Sequence, residues 1–334
     1  MKYTRLGRSN LEVSKVCLGT MHFGDRTPED EAFAIMDRAL EMGINFFDTA
    51  NVYGGRPNTG RTESIIGRWF AQGGGRRDRV VLASKVYGAM TPDPGPNEGS
   101  GISAYKVRKH CQDSLTRLQT DHIDLYQVHH IDMTISLEEF WRTFERLQDD
   151  GDILYVGTSN FPAWGLVKFQ MAAWQRGDVG IVSEQTQYNM LNRIPELEVL
   201  PAAREFGIGV IPYMPLGGGL LAGKTEIKEG SRSADVWDEY AMTEDRIPQF
   251  EAYAEVCEDL GEPEHVVAIA WTLAHPAVDS AIVGVRTLRH LEGLDRAASL
   301  TLDDDTMARL NEIFDVNRGR PLKNNAPAPQ AYAW

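Results

Sequence analysis

The stretch GINFFDTANVYG, residues 43–54, begins as an apolar strand and then turns polar abruptly. Asp48 stands where the apolar run stops, Tyr53 follows five positions later, and Gly54 with the next residue, Gly55, ends the segment in a flexible loop. A rigid strand fixes a polar group at its end while the adjoining loop leaves that group open to substrate, so enzymes often place their chemistry there. The segment therefore predicts a functional Asp and Tyr at the mouth of a barrel or sheet.

Two later strands add a cation and two histidines. The apolar run 80–84 leads into Lys85, and a later apolar strand ends at His129 and His130. A buried Lys is costly to desolvate unless a carboxylate pairs with it, and Asp48 is the candidate partner. Asp, Tyr, Lys and His at the ends of three successive strands form an acid–base set.

Short apolar strands and helices alternate along the whole chain, which predicts a parallel sheet covered by helices. The predicted strands are 16–20, 44–48, 80–85, 123–129, 153–158, 180–187, 208–212 and 280–283. The predicted helices are 27–42 with Thr27 as cap, 62–71, 103–118, 137–149, 162–176, 196–206, 263–274 and 288–297. Eight units favour a closed barrel, although alternation alone also fits an open doubly wound sheet. No GxGxxG follows the first strand, which weakens the classical dinucleotide fold.

Four segments stand outside the alternation, within one predicted domain that spans residues 1–334. Residues 1–15 read as a hairpin that turns near a Gly-Arg-Ser-Asn sequence. Residues 87–101 hold three Pro and several Gly, so we expect a mobile loop at the active-site end. Residues 216–260 are predicted to be a loop insertion that covers a cofactor, and residues 318–334 a Pro/Ala/Asn-rich tail. Loops of this length are usually lids, binding loops or disordered.

Composition excludes several functional classes. The chain has 34 basic and 48 acidic residues, a net charge of −14, which argues against nonspecific binding of nucleic acid or of an anionic membrane. Cys17, Cys111 and Cys257 lack any CxxC or Cys/His metal spacing, so we predict free thiols in a reducing, cytoplasmic compartment and no metal site. The start is too polar for a signal peptide, and no apolar run reaches the ~20 residues of a membrane helix.

The chain resembles the aldo-keto reductases from about Tyr3 to about Leu300. Six motifs occur in the family's order: GINFFDTANVYG, LASKVYG, DLYQVHHID, YVGTSNF, SEQTQYN and IPYMPLGGGLLAGK. The chain looks closest to bacterial members that include deoxysugar-pathway reductases. This resemblance implies a single-domain (β/α)8 TIM barrel whose floor is closed by the hairpin. It also implies NADPH-dependent reduction of a small-molecule aldehyde or ketone to an alcohol.

The resemblance gives the acid–base set its roles. It implies that Tyr53 donates the proton and that His129 hydrogen-bonds the substrate oxygen. A free phenol has a pKa near ~10; a neighbouring Lys85 ammonium lowers it, and Asp48 keeps the lysine charged. Strand parity sends His129 and His130 to opposite faces that both look buried, so spacing alone leaves the choice open. The family places its histidine directly after LYQV, which selects His129; His130 then lines the substrate mouth or is structural.

The nicotinamide site follows from the same resemblance. Its carboxamide is expected to bind polar groups that follow two strands, Ser159, Asn160 and Gln185, and its ring is expected to stack on Tyr213. The full cofactor-binding set that the resemblance implies is Thr20, Asp48, Ser159, Asn160, Gln185, Tyr213, Pro215, Leu216, Gly218, Leu220, Gly284, Arg286 and His290.

Two segments are predicted to bind the phosphates of the cofactor. The run 216–220 contains three successive glycines, so its backbone amides are expected to be uncovered and to bind phosphate oxygens. Arg286 stands at a helix start after the last strand, where it could grip a 2′-phosphate bidentately and favour NADP. The sequence departs from the family at the adenosine end. His290 replaces a common Gln or Arg, and Gly293-Leu294 replaces Glu-Asn.

The substrate site is expected at the same end of the barrel. The candidates, chosen by position, are Met21, His22, Phe23, Tyr87, His130 and Phe161. They are mostly apolar and aromatic, so they suit a carbonyl compound with a hydrophobic surface or a sugar ring. The sequence carries no signal that fixes an oligomeric state.

Two other functions fit the same fold. A noncatalytic NADPH-binding regulatory subunit would be distinguished by loss of Tyr53 or Lys85, and both are present. An isomerase or aldolase would use Lys85 as a Schiff-base nucleophile. Pairing with Asp48 argues against that use because it keeps the amine protonated.

Overall fold

A computed structural model describes residues 1–55, 57–223 and 246–315. These residues form two sheets. The first contains two strands, β1 Tyr3–Arg5 and β2 Glu12–Ser14. The second contains eight parallel strands, β3 Val16–Gly19, β4 Phe46–Asp48, β5 Val81–Val86, β6 Ile123–Val128, β7 Ile153–Ser159, β8 Ile181–Gln185, β9 Gly209–Val210 and β10 Ala281–Gly284. Their order in the second sheet is β10-β3-β4-β5-β6-β7-β8-β9. Parallel bridges from Val210 to Val278 and from Tyr213 to Ile282 join the two edges of the sheet. The sheet is therefore a (β/α)8 barrel, as predicted.

Helices follow the barrel strands in the predicted alternation. They are α1 Glu29–Glu41, α2 Arg61–Ala71, α3 Ala104–Leu118, α4 Leu137–Asp149, α5 Ala163–Gln175, α6 Val199–Glu205, α7 Ile247–Leu260, α8 Glu264–Ala274, α9 Leu294–Ser299 and α10 Asp304–Ile313. No described helix is long and apolar enough to cross a membrane. All three cysteines are buried and unpaired, as predicted.

Side-chain alternation divides the barrel interior into an apolar layer and a polar layer. The apolar cluster consists of Leu6, Val13, Cys17, Phe46, Ala83, Leu125, Val182, Ile211 and Ile282. Side chains two residues apart on a strand share a face. Asp48, Lys85 and Gln127 each come two residues after a member of this cluster, so they point into the barrel nearer the carboxyl ends of the strands. The strand period thus places the polar layer directly above the apolar one.

The hairpin closes the opposite end of the barrel. β1 and β2 pair antiparallel, and Leu6 and Val13 join the interior apolar cluster. The Gly7 amide donates to Oδ2 of Asp279 at 2.7 Å. Gly7 has φ +51°, and a Cβ there would lie 2.2 Å from the carbonyl oxygen of Val182, so the close approach of the turn to the strands requires glycine.

Two predicted boundaries are wrong. Pro28, not Thr27, is the N-cap of α1, because the Thr27 hydroxyl instead donates to the Arg286 carbonyl at 3.0 Å. The predicted insertion 216–260 is not a loop throughout, since its last part, from Ile247, is the packed helix α7. Tyr253, Val256 and Cys257 form the buried face of that helix. Residues 224–245 of the insertion and the tail 318–334 lie outside the described residues.

Other differences concern two predicted helices, each of which is preceded by a 3-10 turn. The helix predicted at 288–297 is divided into a 3-10 turn, Leu288–Leu291, and α9. The helix predicted at 196–206 likewise follows a 3-10 turn, Ile194–Leu197. Gly293 is the N-cap of α9 and has φ +79°, a conformation that glycine adopts without strain and that separates the two pieces.

Candidate active site

Lys85 joins the carboxylate and the phenol at the carboxyl ends of the strands. Its Nζ lies 2.5 Å from Oδ2 of Asp48 and 3.2 Å from the hydroxyl of Tyr53, and it donates to the Thr49 carbonyl at 2.9 Å. The Lys85 side chain is fully buried and Asp48 is 3% exposed, whereas Tyr53 is partly exposed. Burial alone would lower the pKa of Lys85, but the charges and hydrogen bonds of Asp48 and Tyr53 outweigh it and raise this pKa. The lysine is therefore an ammonium ion.

Two amides hold the other oxygen of the carboxylate. Gln127 Nε2 donates to Oδ1 of Asp48 at 3.0 Å, and Gln185 Nε2 donates to the same atom at 2.8 Å. The amide nitrogen of Gln185 also lies 3.2 Å from Oε1 of Gln127. The prediction assigned Gln185 to the nicotinamide alone and missed Gln127. The signal for Gln127 was its shared parity with Leu125 on β6 and with His129, which directly follows that strand.

A row of rings lines the mouth beside Tyr53. The His129 ring meets the Tyr53 ring edge-on with centroids 5.9 Å apart, and it stacks on the His130 ring at 5.5 Å. The Tyr87 ring lies 5.3 Å from that of His130. Desolvation, the Lys85 charge and the neighbouring His130 hold the pKa of His129 well below its usual range. Burial also lowers the pKa of His130, so both rings are neutral at neutral pH.

The turn after β7 brings three predicted cofactor residues together. Asn160 Nδ2 donates to Ser159 Oγ at 3.0 Å and to the His129 carbonyl at 3.2 Å, and the Tyr213 hydroxyl donates to Oδ1 of Asn160 at 3.0 Å. Asn160 has φ +58° and Met214, next to Tyr213, has φ +57°. Left-handed backbone at a non-glycine residue is strained and is concentrated at functional sites.

Glu184, which was not among the predicted site residues, stabilises this turn through hydrogen bonds on the side that faces the helices. Its Oε1 accepts from the Phe161 amide at 3.0 Å and its Oε2 lies 2.5 Å from the Thr158 hydroxyl. The side chain is fully buried, and burial raises its pKa to about 8. Its position directly before Gln185 in the motif SEQTQYN was the available signal, because residue 184 must then face the helices.

The first phosphate-binding prediction is only partly compatible with the structure. Gly217–Gly219 form a 3-10 turn, and the amides of Gly217 and Gly219 donate to the carbonyls of Met214 and Leu216, each at 2.9 Å. The Leu220 amide donates to the Gly217 carbonyl at 3.4 Å. The expectation of uncovered amides is therefore wrong at these three residues, because the turn satisfies them internally. Leu220 and Pro215 are buried, whereas Leu216 and Gly218 are partly exposed.

In the second segment that was predicted to bind phosphate, the backbone amides already donate to side-chain acceptors. His290 Nδ1 accepts from the amides of Arg286 and Thr287 at 3.2 and 3.3 Å, and Oε1 of Glu31 accepts from the Leu288 amide at 2.9 Å. In the described part of the chain, the Arg286 guanidinium has no hydrogen-bond or ion-pair partner. The charge of Arg286, rather than open backbone amides, is thus the feature that suits an anion here.

The remaining candidates divide between the rim and the core. Met21, Tyr87 and His130 are partly exposed, and Gly284 is exposed. Phe23 and Phe161 are fully buried in the main hydrophobic cluster, so packing, not substrate contact, is the role that their positions show. His22 is 8% exposed. The Thr20 hydroxyl donates to the Asp48 carbonyl at 2.8 Å, which ties β3 to the site.

Several known proteins are similar in sequence to this chain over most or all of its length. The aldo/keto reductase family model matches residues 15–315. The chain is 49% identical to an uncharacterized oxidoreductase, YrpG, of Bacillus subtilis (strain 168), over 100% of both proteins. It is 30% identical to protein tas of Escherichia coli (strain K12), over 95% of this chain and 98% of that protein. It is 32% identical to a probable voltage-gated potassium channel subunit beta of Arabidopsis thaliana, over 85% and 87% respectively.

Proposed function

The chain belongs to the aldo/keto reductase family, and on that premise we propose that it reduces an aldehyde or ketone to an alcohol with NADPH, with Tyr53 as the proton donor. Members of this family are oxidoreductases that typically use nicotinamide cofactors. The observation that carries the proposal is the position of the Lys85 ammonium, 2.5 Å from the Asp48 carboxylate and 3.2 Å from the Tyr53 hydroxyl.

This contact makes Tyr53 an effective acid. When the phenol gives up its proton, the phenolate that remains lies beside a fixed positive charge in a site of low dielectric. The ammonium cannot turn away, because Asp48 and the Thr49 carbonyl hold it. The Asp48 carboxylate is itself fixed by two amides, from Gln127 and Gln185. The buried network thus sets the position and charge of the group that acts on the substrate.

His129 has a different role. Its low pKa leaves the ring neutral at neutral pH, so it has little charged form from which to protonate the substrate. Its ring meets the Tyr53 ring edge-on, with centroids 5.9 Å apart, so the two side chains are neighbours at the mouth of the barrel. We assign His129 to hydrogen-bonding and orienting the substrate oxygen while Tyr53 transfers the proton.

The residues around Asn160 fit a nicotinamide. A partly exposed aromatic ring at Tyr213 lies beside amide and hydroxyl groups that are held by one another. Gln185 commits its nitrogen to Asp48, so its Oε1 is the atom left to accept from a carboxamide NH2. A reduced nicotinamide, when bound there, supplies the hydride. Asn160, Ser159 and Gln185 would bind the carboxamide, and Tyr213 would support the ring.

NADPH is favoured over NADH by the Arg286 guanidinium, which has no partner among the described residues and suits a 2′-phosphate. Gly284, two residues before Arg286, is exposed. The Glu31 carboxylate on the Leu288 amide opposes this preference through its negative charge. The attraction of the Arg286 guanidinium for the 2′-phosphate is expected to exceed the repulsion by the Glu31 carboxylate.

A second function, a noncatalytic nicotinamide-binding subunit, is suggested by the similarity to the Arabidopsis thaliana protein named as a probable potassium channel subunit beta. Because Asp48, Lys85 and Tyr53 are all present and in contact, a catalytic function has more support than a noncatalytic one. Schiff-base chemistry at Lys85 has less support still, because the amine is buried as an ammonium ion against Asp48.

The direct test is a panel of aldehydes and ketones with NADPH and NADH consumption followed at fixed pH. We expect turnover with several carbonyl compounds and faster turnover with NADPH. The same panel is then run on Tyr53→Phe and on Tyr3→Phe, a matched control whose hydroxyl donates to the Gly43 carbonyl in the hairpin region. Cofactor binding without consumption of any carbonyl compound would favour the noncatalytic subunit.

A further inference from the structure

His110 is a buried histidine outside the acid–base set, and both of its ring nitrogens have side-chain partners. It lies on α3 and is 1% exposed. Its Nδ1 lies 3.0 Å from Nδ2 of Asn51, and its Nε2 lies 2.8 Å from Oε2 of Glu98. The proposed chemistry makes no direct use of this ring.

The ring connects two segments that flank the site. Asn51 lies between Asp48 and Tyr53 in the sequence. Its backbone N–H donates to the Lys85 carbonyl at 3.2 Å. Glu98 belongs to the loop 87–101, which begins with the rim residue Tyr87 and lies between β5 and α3. His110 therefore joins the segment that carries the proton donor to the loop on the substrate side.

The loop end of this connection is fixed. The fully buried Lys106, one helical turn before His110, donates from Nζ to the carbonyls of Tyr87 and Gly99. Ile102, at the end of the loop, donates its amide to Oδ2 of Asp132 at 3.0 Å. These contacts fix the backbone on both sides of Glu98, and its carboxylate, besides contacting His110, lies 3.7 Å from Nζ of Lys109.

The Asn51 side chain fixes the direction of both hydrogen bonds to the His110 ring. Nδ2 of Asn51 can only donate, so Nδ1 of His110 accepts, and the proton on Nε2 is donated to the Glu98 carboxylate. The ring is therefore in a neutral tautomer. Burial lowers the pKa of His110, and the charges of Lys106 and Lys109 lower it further, whereas Glu98 raises it. Among the described residues Oδ1 of Asn51 is buried without a partner. The position of the Asn51 side chain thus depends on its contact with His110.

We propose that His110 is a positioning residue for proton donation, because it fixes Asn51 and, through the backbone from Asp48 to Tyr53, the phenol over Lys85. The proposal rests on the proposed function of Tyr53. It differs from a purely structural role for His110, which would affect stability but would leave turnover in the folded enzyme unchanged.

The test compares His110→Ala, Asn51→Ala and the double variant with His122→Ala, a control at a histidine that contacts Asp121 and lies before β6. We expect kcat to fall about tenfold in each single variant, with cofactor Kd changed less than about twofold. The double variant should be no slower than the slower single variant, since residues that act as one unit are not additive. His110→Gln keeps an acceptor for Asn51 and should recover part of the rate.

Hydrogen exchange of the peptide that covers residues 48–54 gives a readout independent of turnover. Exchange should be faster in His110→Ala than in His122→Ala, with His110→Gln between them. Unchanged exchange, or unchanged kcat in His110→Ala, overturns the positioning role. Normal kcat in His110→Ala together with an inactive Tyr53→Phe overturns this role alone, whereas normal turnover in Tyr53→Phe overturns the proposed function. If His110→Ala does not fold, His110→Gln and Asn51→Ala decide by the same two readouts.

Discussion

Oδ2 of Asp48 and Nζ of Lys85 form a buried ion pair at 2.5 Å, with side chains that are 4% and 0% exposed. A buried ion pair is expensive to desolvate, and removing one partner leaves an uncompensated charge. The pair is nevertheless retained at the carboxyl ends of the strands, where Lys85 also contacts the Tyr53 hydroxyl. Its position indicates that the pair serves the site rather than the stability of the barrel.

Asp48→Asn should therefore destabilise the protein by about 3–5 kcal/mol, the range for breaking a buried pair. The double variant Asp48→Asn/Lys85→Met removes both charges and should recover part of that loss. Urea unfolding at neutral pH measures both values. Glu41→Gln, which breaks an exposed pair with Arg38, is the control and should cost less than about 1 kcal/mol. A double variant less stable than Asp48→Asn would show that the charge is not the cause.

Glu184 should make stability depend on pH. Its pKa is about 8 in the folded protein and ~4.3 in an unfolded chain. Between these values the folded protein holds a proton that the unfolded chain has lost, so Glu184 destabilises the fold progressively as the pH rises from about 4.3 to 8. Glu184→Gln removes this titration while it keeps an acceptor for the Phe161 amide.

The free energies of unfolding of wild type and Glu184→Gln, measured at pH 5, 6, 7 and 8, test this prediction. The difference between the two proteins should shift in favour of Glu184→Gln by on the order of 1.4 kcal/mol per pH unit over this range. Parallel pH dependences would mean that Glu184 is ionised throughout and that its burial is compensated by other contacts.

Arg286→Ala should weaken NADPH far more than NADH, because only NADPH presents a 2′-phosphate. A charge-assisted contact is worth about 1.5–3 kcal/mol, or roughly 10- to 150-fold in Kd. Fluorescence titration with both cofactors measures the ratio. Arg289→Ala, at an exposed arginine three residues away, is the matched control. Equal weakening of NADPH and NADH would show that Arg286 does not read the phosphate.

The eight-unit barrel and its polar mouth could be predicted from the sequence because strand periodicity and strand ends are local properties. Asp48, Lys85 and Gln185 lie at or near the ends of their strands, and the predicted contact of Asp48 with Lys85 is confirmed. The sequence left the choice between His129 and His130 open because both faces of β6 are apolar. In the structure Leu125 and Gln127 face the barrel interior, and His129 follows them in parity.

The parts that could not be predicted depend on distant partners. Gln127 matters because it meets Asp48 across the barrel, and His110 because helix α3 passes behind Asn51. The amides of Gly217 and Gly219 were expected to be open, but a tight turn uses them internally. Helix α7 was not predicted, although its buried residues Tyr253, Val256 and Cys257 have the i, i+3, i+4 spacing of a helical face. The contacts of Gln127 with Asp48 and of His110 with Asn51 join residues that are distant in the sequence.

The measurement that tests the central claim most directly is the turnover of Tyr53→Phe across the carbonyl panel, with NADPH affinity followed by fluorescence titration. The variant removes one hydroxyl and leaves the hydrogen bonds of Asn160, Gln185 and Tyr213 in place. Turnover should fall by ~10²–10⁴, the usual worth of general acid catalysis, while NADPH affinity stays nearly constant. Near-normal turnover on every substrate that the wild type reduces would contradict the assignment of Tyr53 as the proton donor.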